Sequence, residues 1–279
     1  MRDKVVAVTG ANAGMGLATV VELARQGARV VMLCRSESRG REALREAKRL
    51  SGSETIALMT CDLGSLDSVR ACAAAFRAEY AKLDVLINNA GIVSLRREET
   101  TDGFEKMIGV NHLGHFLLTN LLLEPLQRAE QGRIVIVASG AYKAGRIHFE
   151  DPHLTRGFNV AKGYAQSKLA NILFGLALAE RLEGSRVTVN SLHPGAVSTS
   201  IGVNRDTGFG RGVHRLLKPF FLTPEQGAAT AIHLATAAEV AAVSGAYFEK
   251  KQAIPLKGKA ADRNAAERLW AWSEAEVGG

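Results

Sequence analysis

The chain has 279 residues, 47% of them hydrophobic and 23% charged, and 35 Lys and Arg against 28 Asp and Glu leave a net charge of +7. These proportions exclude a disordered or fibrous chain, and the length permits a large buried core in one or two domains. Cys34, Cys61 and Cys72 have no C-x-x-C spacing, which excludes a zinc cluster or disulfide framework and points to a reducing, cytoplasmic compartment. No integral membrane segment is expected: the leucine-rich run 116–126 is interrupted by Thr119, Asn120, Glu124 and Pro125, and the N-terminus has no signal-peptide pattern.

The first apolar, β-branched run, 5–8, predicts a strand. It leads through Thr9-Gly10-Ala11-Asn12-Ala13-Gly14-Met15-Gly16 into a helical pattern carried by Leu17, Val20, Val21, Leu23 and Ala24. Glycines in a strand-to-helix turn let the backbone approach a pyrophosphate, and the helix N-terminus supplies N–H donors for the anion. The spacing is T-G-x-x-x-G-x-G rather than G-x-G-x-x-G.

A second strand is predicted at 29–33 and ends at Cys34-Arg35-Ser36. Dinucleotide folds that take NAD usually place an acid near this point to hold the ribose hydroxyl. Arg35 stands there instead, with Arg39 one helical turn on, and both suit a 2′-phosphate, so NADP(H) is favoured over NAD. Glu37 is the one nearby acid, and opening the next helix it serves the helix dipole. The basic run 35–49 is interleaved with Glu37, Glu42 and Glu46 and has no aromatic residues, so it reads as a solvated helix face and no nucleic-acid partner is expected.

Further strands are predicted at 55–59, 85–87, 133–137 and 187–190, separated by helical patterns such as Leu66-Val69-Cys72-Ala73-Phe76 and Leu169-Ile172-Leu173-Leu176-Leu182. Near-continuous apolar strands alternating with amphipathic helices predict an α/β, doubly wound parallel sheet of Rossmann type in a single domain spanning 1–279. Thr223-Pro224-Glu225 opens a helix to about 236, a last strand is expected at 246–248 and a terminal helix at 265–275.

Tyr164-Ala165-Gln166-Ser167-Lys168 opens a long amphipathic helix, and its four-residue spacing puts the phenol and the ammonium on one face. Taken with T-G-x-x-x-G-x-G and Asn88-Asn89-Ala90-Gly91, this pattern resembles the short-chain dehydrogenase/reductase family from about residue 4 to 250. The segments 109–116 and 168–171, His193-Pro194-Gly195, Arg35 and the long interval between Ser139 and Tyr164 are similar to its retinol dehydrogenase-like branch.

The resemblance implies an NADP(H)-dependent oxidoreductase that interconverts a small-molecule carbonyl and its alcohol. It makes Tyr164 the acid/base and gives Lys168 two tasks, holding the nicotinamide ribose and lowering the tyrosine pKa. Ser139 would bind the substrate oxygen and Asn111 a proton-relay water. It implies coenzyme contacts at Gly10, Asn12, Ala13, Gly14, Met15 and Gly16, at Asp62 and Leu63, at Asn89, Ala90 and Gly91, and at Pro194, Gly195, Val197 and Thr199. A substrate loop is expected at about 200–222, where Gly202, Gly208, Gly210 and Gly212 suit a lid and the Val, Leu and Phe residues suit a fixed wall.

Apolar residues around that loop, with Val93 and Leu95, suit an apolar substrate, whereas Arg205, Arg211, His214, Arg215 and Lys218 suit an acidic one. His112 and His115 are expected in core or capping roles, with no metal. Trp270 and Trp272 are expected to pack, or to cover an interface in a homo-oligomer. A non-catalytic NADP-sensing or scaffold protein on the same fold is the alternative function.

Overall fold

The computed structural model describes residues 1–196 and 222–278. Eight strands form one sheet: β1 (Val5–Thr9), β2 (Arg29–Cys34), β3 (Ile56–Thr60), β4 (Val85–Asn88), β5 (Gly132–Val137), β6 (Val187–His193), β7 (Tyr247–Glu249) and β8 (Gln252–Ile254). Their order across the sheet is β3-β2-β1-β4-β5-β6-β7-β8. All neighbours run parallel except β7 and β8. The order reverses between β1 and β4, where a doubly wound sheet opens a crevice at the carboxyl ends of its strands.

Alternation along β1 shows why both faces are covered. Val5 and Ala7 enter one apolar core, while Val6 and Val8 enter the other. The first core is closed by α3 (Leu66–Glu79), α5 (Gly114–Leu121), α7 (Val160–Arg181) and a terminal helix, α9 (Arg263–Val277). The second is closed by α1 (Gly14–Arg25), α2 (Glu37–Ser51) and α8 (Pro224–Thr236). The short helices α4 (Lys106–Ile108) and α6 (Leu123–Gln127) complete the set among the described residues. Thr223 caps α8 in a capping box with Gln226, as its sequence suggests.

The sequence reading omits β8. It pairs with β7 through a hairpin whose two central residues, Lys250 and Lys251, have φ of 50° and 66°. Such a turn normally carries Asn-Gly or a similar pair, so a Lys-Lys dipeptide gives no signal.

Trp270 and Trp272 pack against the rest of the chain. Trp270 lies edge-on to Phe116 at 4.8 Å and near Phe174 at 5.9 Å, and Trp272 stacks on His112 at 6.4 Å. Phe116 is buried at the centre of this group and fastens α9 to α5 and α7. Phe116→Ala is expected to destabilise the fold by about 3–5 kcal/mol, through lost burial plus a cavity. Denaturant midpoints would check it; a change below about 1 kcal/mol would show that the aromatic cluster closes up or contributes little.

Candidate active site

At the exit of β1, Gly10 and Gly14 adopt φ of 62° and 54°, a region that other residues enter only with strain. A Cβ on Gly16 would lie 2.3 Å from the Gly10 carbonyl oxygen, so only glycine lets α1 pack this closely on the strand end. The N-cap of α1 is Ala13, which offers no side-chain cap, and the first turn holds no acid. By contrast, side chains of Ser36, Ser65, Asn159, Thr223 and Asp262 cap α2, α3, α7, α8 and α9. The first amides of α1 are therefore left for an anion. Asn12 and Met15 flank them, half-buried.

Arg35 and Arg39 are exposed beyond β2, and neither makes an ion pair among the described residues. Glu37 is held instead by Arg41 at 2.5 Å. The nearest acid is thus paired away from Arg35. Beyond β3, Asp62 accepts the Gly64 N–H at 2.9 Å and donates its own N–H to Ser68, which fixes the turn carrying Leu63.

Beyond β4, Asn89 donates through its side chain to the Thr9 carbonyl at 2.8 Å. The Thr9 hydroxyl accepts the N–H groups of Asn89 and Ala90, both at 2.9 Å. It also meets His115 Nε2 at 2.9 Å, and His115 Nδ1 lies 3.0 Å from the Asn111 carbonyl. A carbonyl only accepts, so Nδ1 carries the proton and Thr9 donates to Nε2. Burial holds His115 down at about 4, hence neutral, against a smaller upward effect of the Asn111 carbonyl. Thr9 and His115 thus tie the glycine turn to Asn111. Sequence reasoning did not find this tie: Thr9 was visible only as a motif letter, and His115 was expected in a core or capping role. No cluster of metal-ligating side chains occurs among the described residues.

Asn111 lies in a π-helical turn, Gly109–Leu113, a distortion that often accompanies function. Its side chain accepts from Ile92 N–H at 2.8 Å and donates to Ile92 O at 3.1 Å and to Ser167 Oγ at 2.9 Å. Lys168 is buried, with Nζ donating to the Val137 carbonyl at 3.2 Å and lying 5.7 Å from the centroid of the Tyr164 ring. A Cβ on Gly91 would meet Lys168 Nζ at 3.3 Å and Asn111 Oδ1 at 3.8 Å. Gly91, Asn111 and Lys168 therefore share one small space.

Ser139 follows β5, and its side chain lies near enough to the Tyr164 phenol to act on its protonation. Burial raises the phenol above its ordinary value, and the nearby Ser139 hydroxyl partly opposes this. Burial lowers Lys168 to about 8. The ammonium lies over the Tyr164 ring and donates to the Val137 carbonyl, and burial is the largest influence on the phenol.

On the far side of the crevice, Gly195 takes a φ of 88° after Pro194, and the Leu222 N–H donates to the Ala196 carbonyl at 2.7 Å. Val197, Thr199 and nearly all of the expected substrate loop, 200–222, lie outside the described residues. So do the basic residues weighed for an acidic substrate. Of the expected rim, Val93 is half-buried and Leu95 is 51% exposed.

Comparison with known proteins agrees with this arrangement. The family model for short chain dehydrogenases matches residues 4–209. The chain is 46% identical to retinol dehydrogenase 14 of Homo sapiens, over 100% of this chain and 87% of that protein. It is 44% identical to human retinol dehydrogenase 11, over 96% and 83%. A crystal structure of an uncharacterised protein from Mycobacterium paratuberculosis superposes with a TM-score of 0.80 at 34% identity, over 99% of this chain and 94% of that one. The fold is shared by a short chain dehydrogenase from Shigella flexneri solved with NADP, at a TM-score of 0.72, 22% identity and 90% and 98% coverage. The chain belongs to the short-chain dehydrogenase family of oxidoreductases, in its retinol dehydrogenase-like branch.

Proposed function

We propose that this oxidoreductase interconverts an apolar aldehyde or ketone and its alcohol with NADP(H), using Tyr164 as acid/base. The observation that carries this is the convergence of four side chains on one cleft: Ser139 beside the Tyr164 phenol, Lys168 over the tyrosine ring, and Asn111 beside Lys168. Its relatives' names favour a retinoid or a similar long apolar substrate.

The residues present fit the coenzyme. The uncapped start of α1, with Gly10, Asn12, Ala13, Gly14, Met15 and Gly16, suits the pyrophosphate, and exposed Arg35 and Arg39 suit the 2′-phosphate. Asp62 and Leu63 would flank the adenine. Asn89, Ala90, Gly91, Tyr164, Lys168, Pro194 and Gly195, with Val197 and Thr199, would hold the nicotinamide half. When bound, the coenzyme supplies or accepts hydride.

The rest falls to this chain. Ser139 orients the substrate oxygen toward Tyr164, and the buried phenol, protonated at neutral pH, donates a proton to that oxygen as a carbonyl is reduced. Lys168, within reach of Asn111, returns a proton toward the phenol. We place the protein in the cytoplasm on the free, buried thiols of its three cysteines. Among the described residues no helix is long and apolar enough to cross a membrane.

The test is NADPH consumption with a carbonyl panel including retinal, long-chain aldehydes and quinones. Turnover is expected with apolar members, and none with any member would leave a coenzyme-sensing protein. Arg35→Ala is expected to weaken NADPH binding roughly 10- to 100-fold and to leave NADH unchanged, as befits one charge-assisted contact. Equal losses for both coenzymes in binding titrations would remove Arg35 from the 2′-phosphate site.

A further inference from the structure

His193 ends β6, one residue before Pro194 and Gly195, and has no part in the chemistry above. Its Nδ1 accepts the Gly140 N–H at 3.1 Å. The ring lies against the bare Cα of Gly140, since a Cβ there would come within 3.4 Å of Nε2. Gly140 follows Ser139 in a tight turn in which Ser139 Oγ accepts the Ala141 N–H at 3.3 Å and Ser139 O accepts the Tyr142 N–H at 3.1 Å. The Gly140 amide is thus the link between the turn that aims Ser139 and the strand that carries Pro194 and Gly195.

We propose that His193 is a positioning residue whose neutral imidazole latches the Ser139 turn to the Pro194–Gly195 segment, and that protonation of Nδ1 opens the latch. An N–H donor fixes the tautomer: Nδ1 is bare and Nε2 carries the proton. Protonated Nδ1 becomes a second donor facing Gly140 N–H, so the bond is lost and Ser139 is no longer held toward Tyr164.

Charged and titratable neighbours from each packed element among the described residues are few. Glu249, the cross-strand partner on β7, favours the protonated ring, and Lys143 on the turn opposes it. Tyr142 and Tyr247 pack edge to face at 5.2 Å, and burial keeps both protonated well above neutrality. Burial is the largest influence and leaves His193 below its ordinary 6.5. The latch is therefore closed at neutral pH and opens as the pH falls below 6.5. The neutral ring is favoured only in the fold, so stability is lost in the same direction.

The catalytic consequence rests on the carbonyl oxidoreductase reading; the latch itself does not. In 15N-labelled protein titrated from about pH 8 to about pH 5, the Gly140 amide is expected to shift in one step together with the His193 ring. In His193→Asn, which keeps an acceptor near the Nδ1 position but cannot titrate, the amide should stay flat. In steady-state assays kcat should show an acid limb at the same midpoint in the wild type and none in His193→Asn. His193→Leu, with no acceptor, should lose about 10- to 100-fold in kcat, and His193→Asn should recover most of that loss.

A Gly140 amide that ignores the His193 titration overturns the latch, as does an acid limb that persists unchanged in His193→Asn. If the amide titrates as expected but no carbonyl is turned over by any variant, the latch stands and the oxidoreductase reading falls. Tryptophan fluorescence reports whether His193→Leu is folded, and should that variant unfold, the amide titration in wild type and His193→Asn decides alone.

Discussion

Tyr164→Phe is expected to lower kcat for carbonyl reduction by about a hundred- to ten-thousand-fold while leaving NADPH affinity within about threefold of the wild type. The phenol is a proton donor placed beside the Ser139 side chain. Burial keeps it in the acid form at neutral pH, the form that reduction requires. Phenylalanine fills the same half-buried slot, so the cleft keeps its shape and only the oxygen is lost. Steady-state kinetics with a coenzyme titration separate the two effects. A variant that kept kcat within about tenfold of the wild type would show that another group delivers the proton.

The second large effect is expected at Lys168, where Met is the informative replacement because it fills the buried channel without the charge. Lys168→Met should lower kcat by at least about a hundredfold and also weaken NADPH binding, since the ammonium is given both a proton-transfer and a coenzyme-binding task. An ammonium has three donors, and here one goes to the Val137 carbonyl, leaving two for groups bound beside Gly91.

Burial brings Lys168 from 10.5 down to about 8, and this yields two trends of opposite sign. The reduction rate should fall as the pH rises through about 8, because the neutral amine can no longer return a proton. Fold stability should rise over the interval from about 8 to 10.5, where the unfolded chain still binds the proton and the native one does not. Lys168→Met should erase the alkaline limb of the rate profile and unfold no more easily than the wild type at neutral pH. A limb that survives in Lys168→Met would assign it to a different group.

Much of the fold was legible in the chain itself. Apolar β-branched runs fully buried on both faces leave no reading but a parallel sheet between helices, and the predicted strand positions agree with the observed ones to within a few residues. Short motifs with strict local geometry were equally legible. The glycines of the β1–α1 turn, Arg35 at the end of β2 and the Tyr164–Lys168 spacing each follow from a single strand end or helix face.

What sequence could not supply was whatever depends on contacts between elements distant along the chain. The Thr9–His115–Asn111 bridge joins residues 106 apart, and the hydrogen bond from Gly140 to His193 spans 53. Whether a buried histidine is a metal ligand, a tie or a latch depends on which carbonyl, hydroxyl or amide the fold sets against each ring nitrogen. The protonation of Tyr164 depends on packing for the same reason. Helical spacing reveals that an ammonium is near the phenol, but only packing decides how deeply both are buried, and burial is the largest influence on each. Local pattern determined the sheet, the glycine turn after β1 and the Tyr164–Lys168 pair; tertiary structure decided their protonation and the hydrogen bonds that hold them in register, because both depend on burial and on partners brought together only by folding.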